Sequence, residues 1–540
     1  MSHRDGAPSS RVLDCWGTRP DAPPSTASAA VRPRRDPGSG DTPPDDWCSV
    51  VSALPDEPLA PEWLAVPADP NDLVPAVWPA SARRDDDGEL RLGGVRVSEL
   101  RARFGTPLYI LDEDEVRAHA RRIREAFDAA AAAHRTRSRV YYAGKAFLSA
   151  DVVRWVSEEG LRLDVCSRGE LETALAAGAD PARLGFHGNN KSVAVLERAV
   201  EVGVGTIVVD SLIEIERLGA IAARLGADRA GIVQDVLIRV NSGVHAETHD
   251  FLATAHEDQK FGFALDEAHA AAARIREMPS LNLLGLHCHI GSQIFGAAGF
   301  AESAARVVDL HAELLAGGDL PLLNLGGGFG IAYTAADDPT PIEVLSSAIV
   351  EAVARECEVR GIAVPTLAFE PGRSVVGQAG VTLYEVGTTK PVSLGERGER
   401  LYVSVDGGMS DNARPALYGA PYSARIASRA GTGDPVLVRV VGLHCESGDI
   451  VVEHEYLPAD VTPGDLLAVP ATGAYCHALA SNYNHTPRPP VVAVRDGHAR
   501  LIVRGETLAD LLGRDAGLDA VPEPAESSAA QPGSAGEGEA

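Results

Sequence analysis

Between residues 138 and 373 short apolar runs alternate with longer stretches in which Ala, Leu, Val and Ile recur at helical spacing among Arg and Glu. The runs are VYYAGK (140–145), LRLDV (161–165), LGFH (184–187), TIVVD (206–210), DVLIRVN (235–241), NLLGLHCHIG (282–291), LLNLGGG (322–328) and TLAFEPGR (366–373). Most are followed by an amphipathic stretch, such as SRGELETALAAG or SVAVLERAVEVG. Alternating βα units build a parallel sheet. Eight of them over about 240 residues predict a (β/α)8 TIM-type barrel. After residue 375 the apolar alternation shortens and turns become frequent, as in VTLYEVGTTKPV, RLYVSVDGG and DPVLVRVVGLHC. That pattern predicts a C-terminal antiparallel β-barrel or sandwich domain.

The expected organisation has five parts. Residues 1–80, rich in Pro, Ser, Ala, Asp and Arg, are expected to be disordered. Residues 81–111 carry strand and turn signals (GELRLGGVRVSEL) and are expected to join the β domain. The barrel spans 112–375 and the β domain 376–514. Residues 515–540 form an acidic tail, also expected to be disordered. Trp16, Trp47, Trp63 and Trp78 fall in the first part; short docking segments and incidental placement are equally open readings.

Each predicted barrel strand ends on polar residues. Lys145 ends the first and Asp164 the second; His187, with Asn189 and Asn190, follows the third. Asp210 ends the fourth, Arg239 and Asn241 the fifth, and His287, His289 and Ser292 the sixth. Gly326–Gly328 close the seventh, and Glu370 and Arg373 the eighth. Strand C-termini of such barrels converge on the active-site face, so eight polar ends in register point to a site there.

Composition sharpens one of them. Only four of the 49 basic residues are lysine: Lys145, Lys191, Lys260 and Lys390. A chain that avoids lysine places one at the end of an apolar strand. A desolvated lysine is expected to have a depressed pKa and to act as a nucleophilic amine suited to a Schiff base. This suggests pyridoxal 5'-phosphate (PLP). Lys191 and Lys260 fall at the same face with no assigned role, and Lys390 reads as surface.

The remaining chemistry fits around such a cofactor. Gly326-Gly327-Gly328 is a candidate phosphate loop, because glycines let backbone N–H groups approach an anion; Ser292 adds a donor. Glu370 is placed to hydrogen-bond a pyridinium nitrogen, and His289 to stack on the ring. His287 and His289 at i, i+2 share a strand face, which also permits a metal reading; no further ligands at metal spacing follow, and none is assigned. Arg414 and Tyr418 are candidates to hold a substrate carboxylate.

The motifs YYAGKAFL, LDVCSRGEL, FHGNNKS, GLHCHIGSQI, LNLGGGFG, FEPGR, RPALYGA, HCESGDI and GAYCHALASNYN together resemble the diaminopimelate decarboxylases. These are fold-type III PLP enzymes, grouped with ornithine and arginine decarboxylases and alanine racemase. The resemblance runs from about residue 85 to 510. It implies that Lys145 carries the cofactor and that Asp164, His289, Ser292, Gly327, Gly328, Glu370, Pro371, Gly372, Arg373 and Tyr475 surround it. It implies substrate contacts from Arg373, Arg414, Tyr418, Glu446 and Tyr475. Cys445 is implied as the catalytic proton donor, contributed by the second subunit of a homodimer. The implied reaction is decarboxylation of meso-2,6-diaminopimelate to L-lysine. Decarboxylation of ornithine, arginine or a related amino acid is the alternative, and a non-catalytic PLP-binding protein a further one. The family often has Lys-Ala-Asn where this chain has Lys145-Ala146-Phe147.

Charge and hydropathy limit the partners. A net charge of −27 argues against nucleic acid and anionic membrane surfaces. No apolar run approaches the roughly 20 residues of a membrane span. The seven cysteines are scattered, the start MSHRDGAPSS shows no secretory signal, and a cytoplasmic enzyme acting on a small amino acid is expected.

Overall fold

The structure, a computed structural model, describes residues 59–228, 231–244 and 260–518. Expectations for 1–58 and 519–540, Trp16 and Trp47 included, lie outside these residues.

Three short strands, β1 (Arg83–Arg84), β2 (Leu90–Leu92) and β3 (Val95–Arg96), form a small antiparallel sheet. Strand β4 (Leu108–Asp112) belongs to the large sheet described below. The next eight strands are β5 (Ser138–Ala143), β6 (Arg162–Val165), β7 (Leu184–Phe186), β8 (Thr206–Val209), β9 (Gln234–Arg239), β10 (Leu281–His287), β11 (Leu322–Asn324) and β12 (Thr366–Phe369). They close into a barrel in chain order, with every pairing parallel.

Side chains alternate in and out along each strand. The inward set forms its own buried layer of Tyr141, Val208, Leu237, Leu322 and Ala368, separate from the main core. The outward set packs on the surrounding helices; Tyr142, Leu163, Phe186, Ile207, Leu323 and Phe369 are all in that core. Two residues beyond the inner layer, the same alternation points Ala143, Asp210, Arg239, Asn324 and Glu370 inward. The helices after β5, β6 and β7 begin at Ser149, Ser167 and Ser192, whose hydroxyls accept N–H bonds from Val152, Glu170 and Val195. These caps end the loops above the barrel mouth and fix where each helix starts.

The second sheet contains β13 (Gly380–Ser393), β14 (Glu399–Val405), β15 (Arg425–Ile426), β16 (Pro435–Val441), β17 (Ile450–Pro458), β18 (Leu466–Pro470), β19 (Val491–Arg495) and β20 (His498–Val503). Its order is β17-β16-β14-β13-β4-β19-β20, with β18 bridging β13 and β15. The expected antiparallel sheet is in fact mixed: β14 runs parallel to β16, and β4 parallel to β19. The parallel pairs arise because β4 comes from before the barrel and because the long connection after β14 carries Arg414–Tyr418 before the chain returns.

Residues 59–80, expected to be disordered, are held against this domain. Asn71 exchanges hydrogen bonds with Gly431, Arg425 donates to the Asp72 carbonyl, and Val77 and Trp78 lie in the core. Irregular backbone anchored by two apolar side chains leaves no periodic signal. Lys191, expected only at the loop face, is buried and ion-paired to Glu214 at 2.6 Å.

Candidate active site

The polar strand ends meet at the C-terminal mouth of the barrel. Glu370, one residue past β12, is buried and meets three protein donors. Asn324 donates from Nδ2 to Oε1 at 2.6 Å. His287 Nε2 lies 3.3 Å from Oε2, and His187 Nε2 3.2 Å from Oε1. The same His187 nitrogen is 3.3 Å from Asp164 Oδ1, and the His187 and His287 rings meet edge to face at 4.9 Å. Burial works against charge on Glu370, but the two imidazoles outweigh it and hold its carboxyl well below the ordinary range. Burial pushes Asp164 up to about 6 and His287 down to about 4. Burial also opposes charge on His187, yet Asp164 and Glu370 raise it.

Lys145 stands in the short turn Gly144–Ala146 after β5. Its neighbours are buried while its own side chain reaches solvent, and among the described residues its amine makes no hydrogen bond or ion pair. The expected depressed pKa does not hold. Burial would lower it, but Tyr475, Asp164, Glu370 and Cys166 outweigh that and hold the amine above its ordinary value. Strand position alone predicted desolvation; the opposing groups come from elsewhere, Tyr475 from the β-domain loop, Asp164 from the next strand and Glu370 from the last.

The turn is fixed from two sides. Ala143 donates its N–H to the Pro371 carbonyl at 3.0 Å, and a Cβ on Gly372 would press on Ala143 and Ala146 at 3.0–3.1 Å. Tyr475 donates its own N–H to the Ala146 carbonyl at 2.8 Å, which brings the β-domain loop to the barrel mouth. In the glycine loop, Gly326 and Gly328 have φ of +71° and +111°. A Cβ on Gly327 would lie 2.0 Å from the Glu370 carbonyl, and one on Gly328 2.4 Å from that of Gly291. Only glycine lets this loop pack against both neighbours. His289 does not converge with His287 as the metal reading required. Its Nδ1 accepts the Gly327 N–H at 3.3 Å, while burial and the nearby Lys145 and Arg239 charges push its pKa well down. The cluster that does converge is His187, His287 and Glu370, with ligand atoms within 4.8 Å of one another; the hydrogen bonds above account for it.

A second group lies beside the first. Arg373 donates to Ser292 Oγ at 2.9 Å and to the Tyr333 hydroxyl, and its guanidinium lies 4.8 Å from the Tyr475 ring centre. Arg414 is buried, donates to the Tyr422 hydroxyl, and sits 4.5 Å over Tyr333. Neither guanidinium has a carboxylate partner among the described residues. Tyr333, Tyr422, His187 and Asn324 carry geometry that the motifs left unassigned. Inward parity on β11 marks Asn324; no sequence signal marks the two tyrosines.

Three predicted residues stand apart. Cys445, Glu446 and Tyr418 are solvent-exposed, and among the described residues no hydrogen bond or ion pair joins them to the barrel mouth. The Cys445 loop is nevertheless well held: Asp449 accepts the N–H groups of His444 and Met409, and His444 reaches Ser410 at 2.8 Å and Asn484 at 3.1 Å.

These residues fit PLP. A carboxylate offers roughly four acceptor positions; Glu370 uses three on protein donors, leaving one for a ring nitrogen. A partner-free lysine, a side-chain-free glycine loop and a serine-arginine pair surround the same mouth.

Comparison with known proteins agrees. Residues 113–377 match the family model of the pyridoxal-dependent decarboxylase pyridoxal binding domain. Diaminopimelate decarboxylase of Mycobacterium tuberculosis is 50% identical over 448 residues, covering 82% of this chain and 98% of that protein. The Bacillus subtilis protein of that name is 44% identical, covering 81% and 97%. The crystal structure of M. jannaschii diaminopimelate decarboxylase in complex with L-lysine superposes with a TM-score of 0.74 at 31% identity, covering 81% of this chain and 98% of that one. The chain belongs to the diaminopimelate decarboxylase family of PLP-dependent decarboxylases.

Proposed function

We propose that the protein decarboxylates meso-2,6-diaminopimelate to L-lysine and CO2 with PLP as cofactor. The observation that carries the substrate choice is the pair of guanidiniums, Arg373 and Arg414, that meet at Tyr333 with no carboxylate partner among the described residues. Arg414 is buried and Arg373 half-buried; a cation taken from water without a counter-ion is costly, and an incoming carboxylate satisfies it with bidentate geometry. Diaminopimelate offers a carboxylate at its distal end; ornithine and lysine do not.

PLP, when bound, supplies the electron sink that accepts the pair released when the Cα–carboxylate bond breaks. The protein's residues do the rest. Lys145 anchors the cofactor, and its elevated amine must shed a proton before it can act as a nucleophile. Ionised Glu370 holds the ring nitrogen's proton. His289 would lie against the ring, and Ser292, Gly327 and Gly328 would hold the phosphate. Arg373, Arg414 and Tyr475 orient the substrate, and Tyr418 and Glu446 complete the distal end. The Cys445 thiol delivers the proton that replaces CO2 on Cα.

Cys445, Glu446 and Tyr418 are exposed beside other uncovered apolar side chains, Leu417 at 59% and Leu443 at 48%. This supports a homodimer in which each copy's Cys445 loop completes the other's site. No described helix is long and apolar enough to cross a membrane, consistent with a cytoplasmic enzyme.

The test is CO2 release from meso-diaminopimelate, ornithine, arginine and lysine by the purified protein. Turnover of diaminopimelate at least about a hundredfold above the others is expected for a site that reads a buried polar group. Preferred turnover of ornithine or arginine contradicts the proposal.

A further inference from the structure

His187 is the one mouth residue that touches two carboxylates with a single atom. Its Nε2 is 3.2 Å from Glu370 Oε1 and 3.3 Å from Asp164 Oδ1, and the side chain is only 10% exposed. One N–H cannot point at both oxygens. Asp164 Oδ1 is left without a hydrogen bond despite being buried, so this trio has more acceptors than donors and room for one further proton.

The neighbours decide where that proton goes. Glu370 also takes Asn324 Nδ2 and His287 Nε2, so protonating it would waste donors already in place. Asp164 has no such company, and burial raises it to about 6. His287 contacts Glu370 but is held neutral by burial, so it contributes a dipole. Arg239 stacks on Phe261 at 4.2 Å; Asp210 accepts the Gly262 N–H on Oδ1 at 2.9 Å with its Oδ2 unbonded, and among the described residues no ion pair links it to His187. Lys145, Cys166, Glu170 and His289 complete the charged and titratable ring, and among the described residues none of them is hydrogen-bonded to Glu370. His187 alone can bring a positive charge into contact with both acids.

We propose that His187 is a positioning residue that locks Glu370 in its ionised, acceptor-only form and diverts the spare proton to Asp164, thereby deciding whether the cofactor's ring nitrogen is protonated. The inference rests on PLP as cofactor and on Glu370 as the partner of its ring nitrogen. Without the imidazolium, the two buried carboxylates that meet its Nε2 at 3.2 and 3.3 Å compete for a proton, and Glu370 becomes able to hold it. A protonated Glu370 donates to the ring nitrogen instead of accepting from it.

The experiment uses the full chain loaded with PLP carrying 15N in the ring, comparing wild type, His187→Gln and Glu370→Gln. The 15N resonance separates protonated from unprotonated ring nitrogen regardless of turnover. Wild type is expected at the protonated position, Glu370→Gln at the unprotonated one, and His187→Gln moved at least halfway between. The PLP dissociation constant of His187→Gln is expected to rise about tenfold, the equivalent of one pKa unit at Glu370. A His187→Gln resonance that stays at the wild-type position overturns the proposal. A second measurement needs no cofactor: infrared spectra of the PLP-free protein with 13C-labelled glutamate. A new protonated-glutamate band in His187→Gln, absent from wild type and from His187→Gln/Glu370→Gln, supports it; no new band overturns it. A wild-type protein that binds no PLP contradicts the cofactor reading instead, while the infrared comparison still judges His187.

Discussion

The barrel mouth and the Cys445 loop differ in how complete they are within one chain. At the mouth, Glu370 is buried under Asn324, His187 and His287, and the Lys145 turn is pinned by Pro371 on one side and Tyr475 on the other. At the loop, the backbone is as firmly held, by Asp449 and His444, but Cys445 and Glu446 face solvent. Rigid backbone under exposed chemistry is what a surface built to act on something else requires. The half of the site proposed to hold the cofactor is self-contained; the half proposed to deliver the proton is presented outward.

Mutations should separate the halves. Lys145→Ala strikes the self-contained one and should have the largest effect. Loss of the covalent anchor is expected to lower kcat by on the order of 10⁴-fold or more and to abolish the absorbance band near 420 nm that marks PLP bound to the lysine. A variant that keeps both places the anchor elsewhere; Lys191, buried in its ion pair with Glu214, is the control whose substitution should leave that band.

Arg414→Lys sits between the halves. Lysine keeps the charge but loses the planar fork and the stacking on Tyr333. KM for diaminopimelate should rise about 10- to 100-fold, a loss of roughly 1.4–2.7 kcal/mol of binding, with kcat changed far less. A fall in kcat at unchanged KM would show that Arg414 acts on the reacting carbon and not on the distal carboxylate.

The last effect leaves catalysis and concerns the stability of the scaffold under the outward loop. Asp411 is buried, accepts from Tyr384 and Gly408, and is pushed up to about 7 by burial. Its folded value lies above the unfolded 3.8, so the native state holds the extra proton between about pH 4 and 7. Stability from this group is present below that window and is lost as pH rises through it. Asp411→Asn removes the titration. Relative to wild type, the variant should gain about 1–3 kcal/mol between pH 5 and pH 8, on top of a pH-independent offset from the altered hydrogen bonds. Parallel urea-midpoint curves for the two proteins across that range would contradict the assignment.

The contrast between the halves also governs what could be read from the sequence. The barrel was legible because alternation repeats: Asp164, Asp210, Arg239, His287 and Glu370 each close an apolar run, and eight such closures define one face. The meeting of Lys145, Gly327, Gly328 and Glu370 at one mouth followed from that face and from the motifs, and the proposed cofactor contacts rest on it. Asn324 was hidden inside LLNLGGG, where the glycines carried the signal. Tyr333 and Tyr422 lie in irregular loops, and their place beside Arg373 and Arg414 depends on how barrel and β domain pack. The sign of the Lys145 shift was misjudged because Tyr475, brought over from a β-domain loop, adds to Asp164 and Glu370 in outweighing burial. The parallel pairings of β4 and β14 depend on long-range return of the chain, which local turn signals do not encode.

The central claim, that Cys445 completes the site of a second copy, is tested most directly by complementation. Lys145→Ala and Cys445→Ala chains, each inactive alone, are co-expressed so that they assemble at random. If the sites are shared, half the dimers are mixed and each mixed dimer has one intact site, so the preparation should recover about a quarter of wild-type kcat. If each chain uses its own Cys445, every site carries one defect and the mixture stays as inactive as its parts.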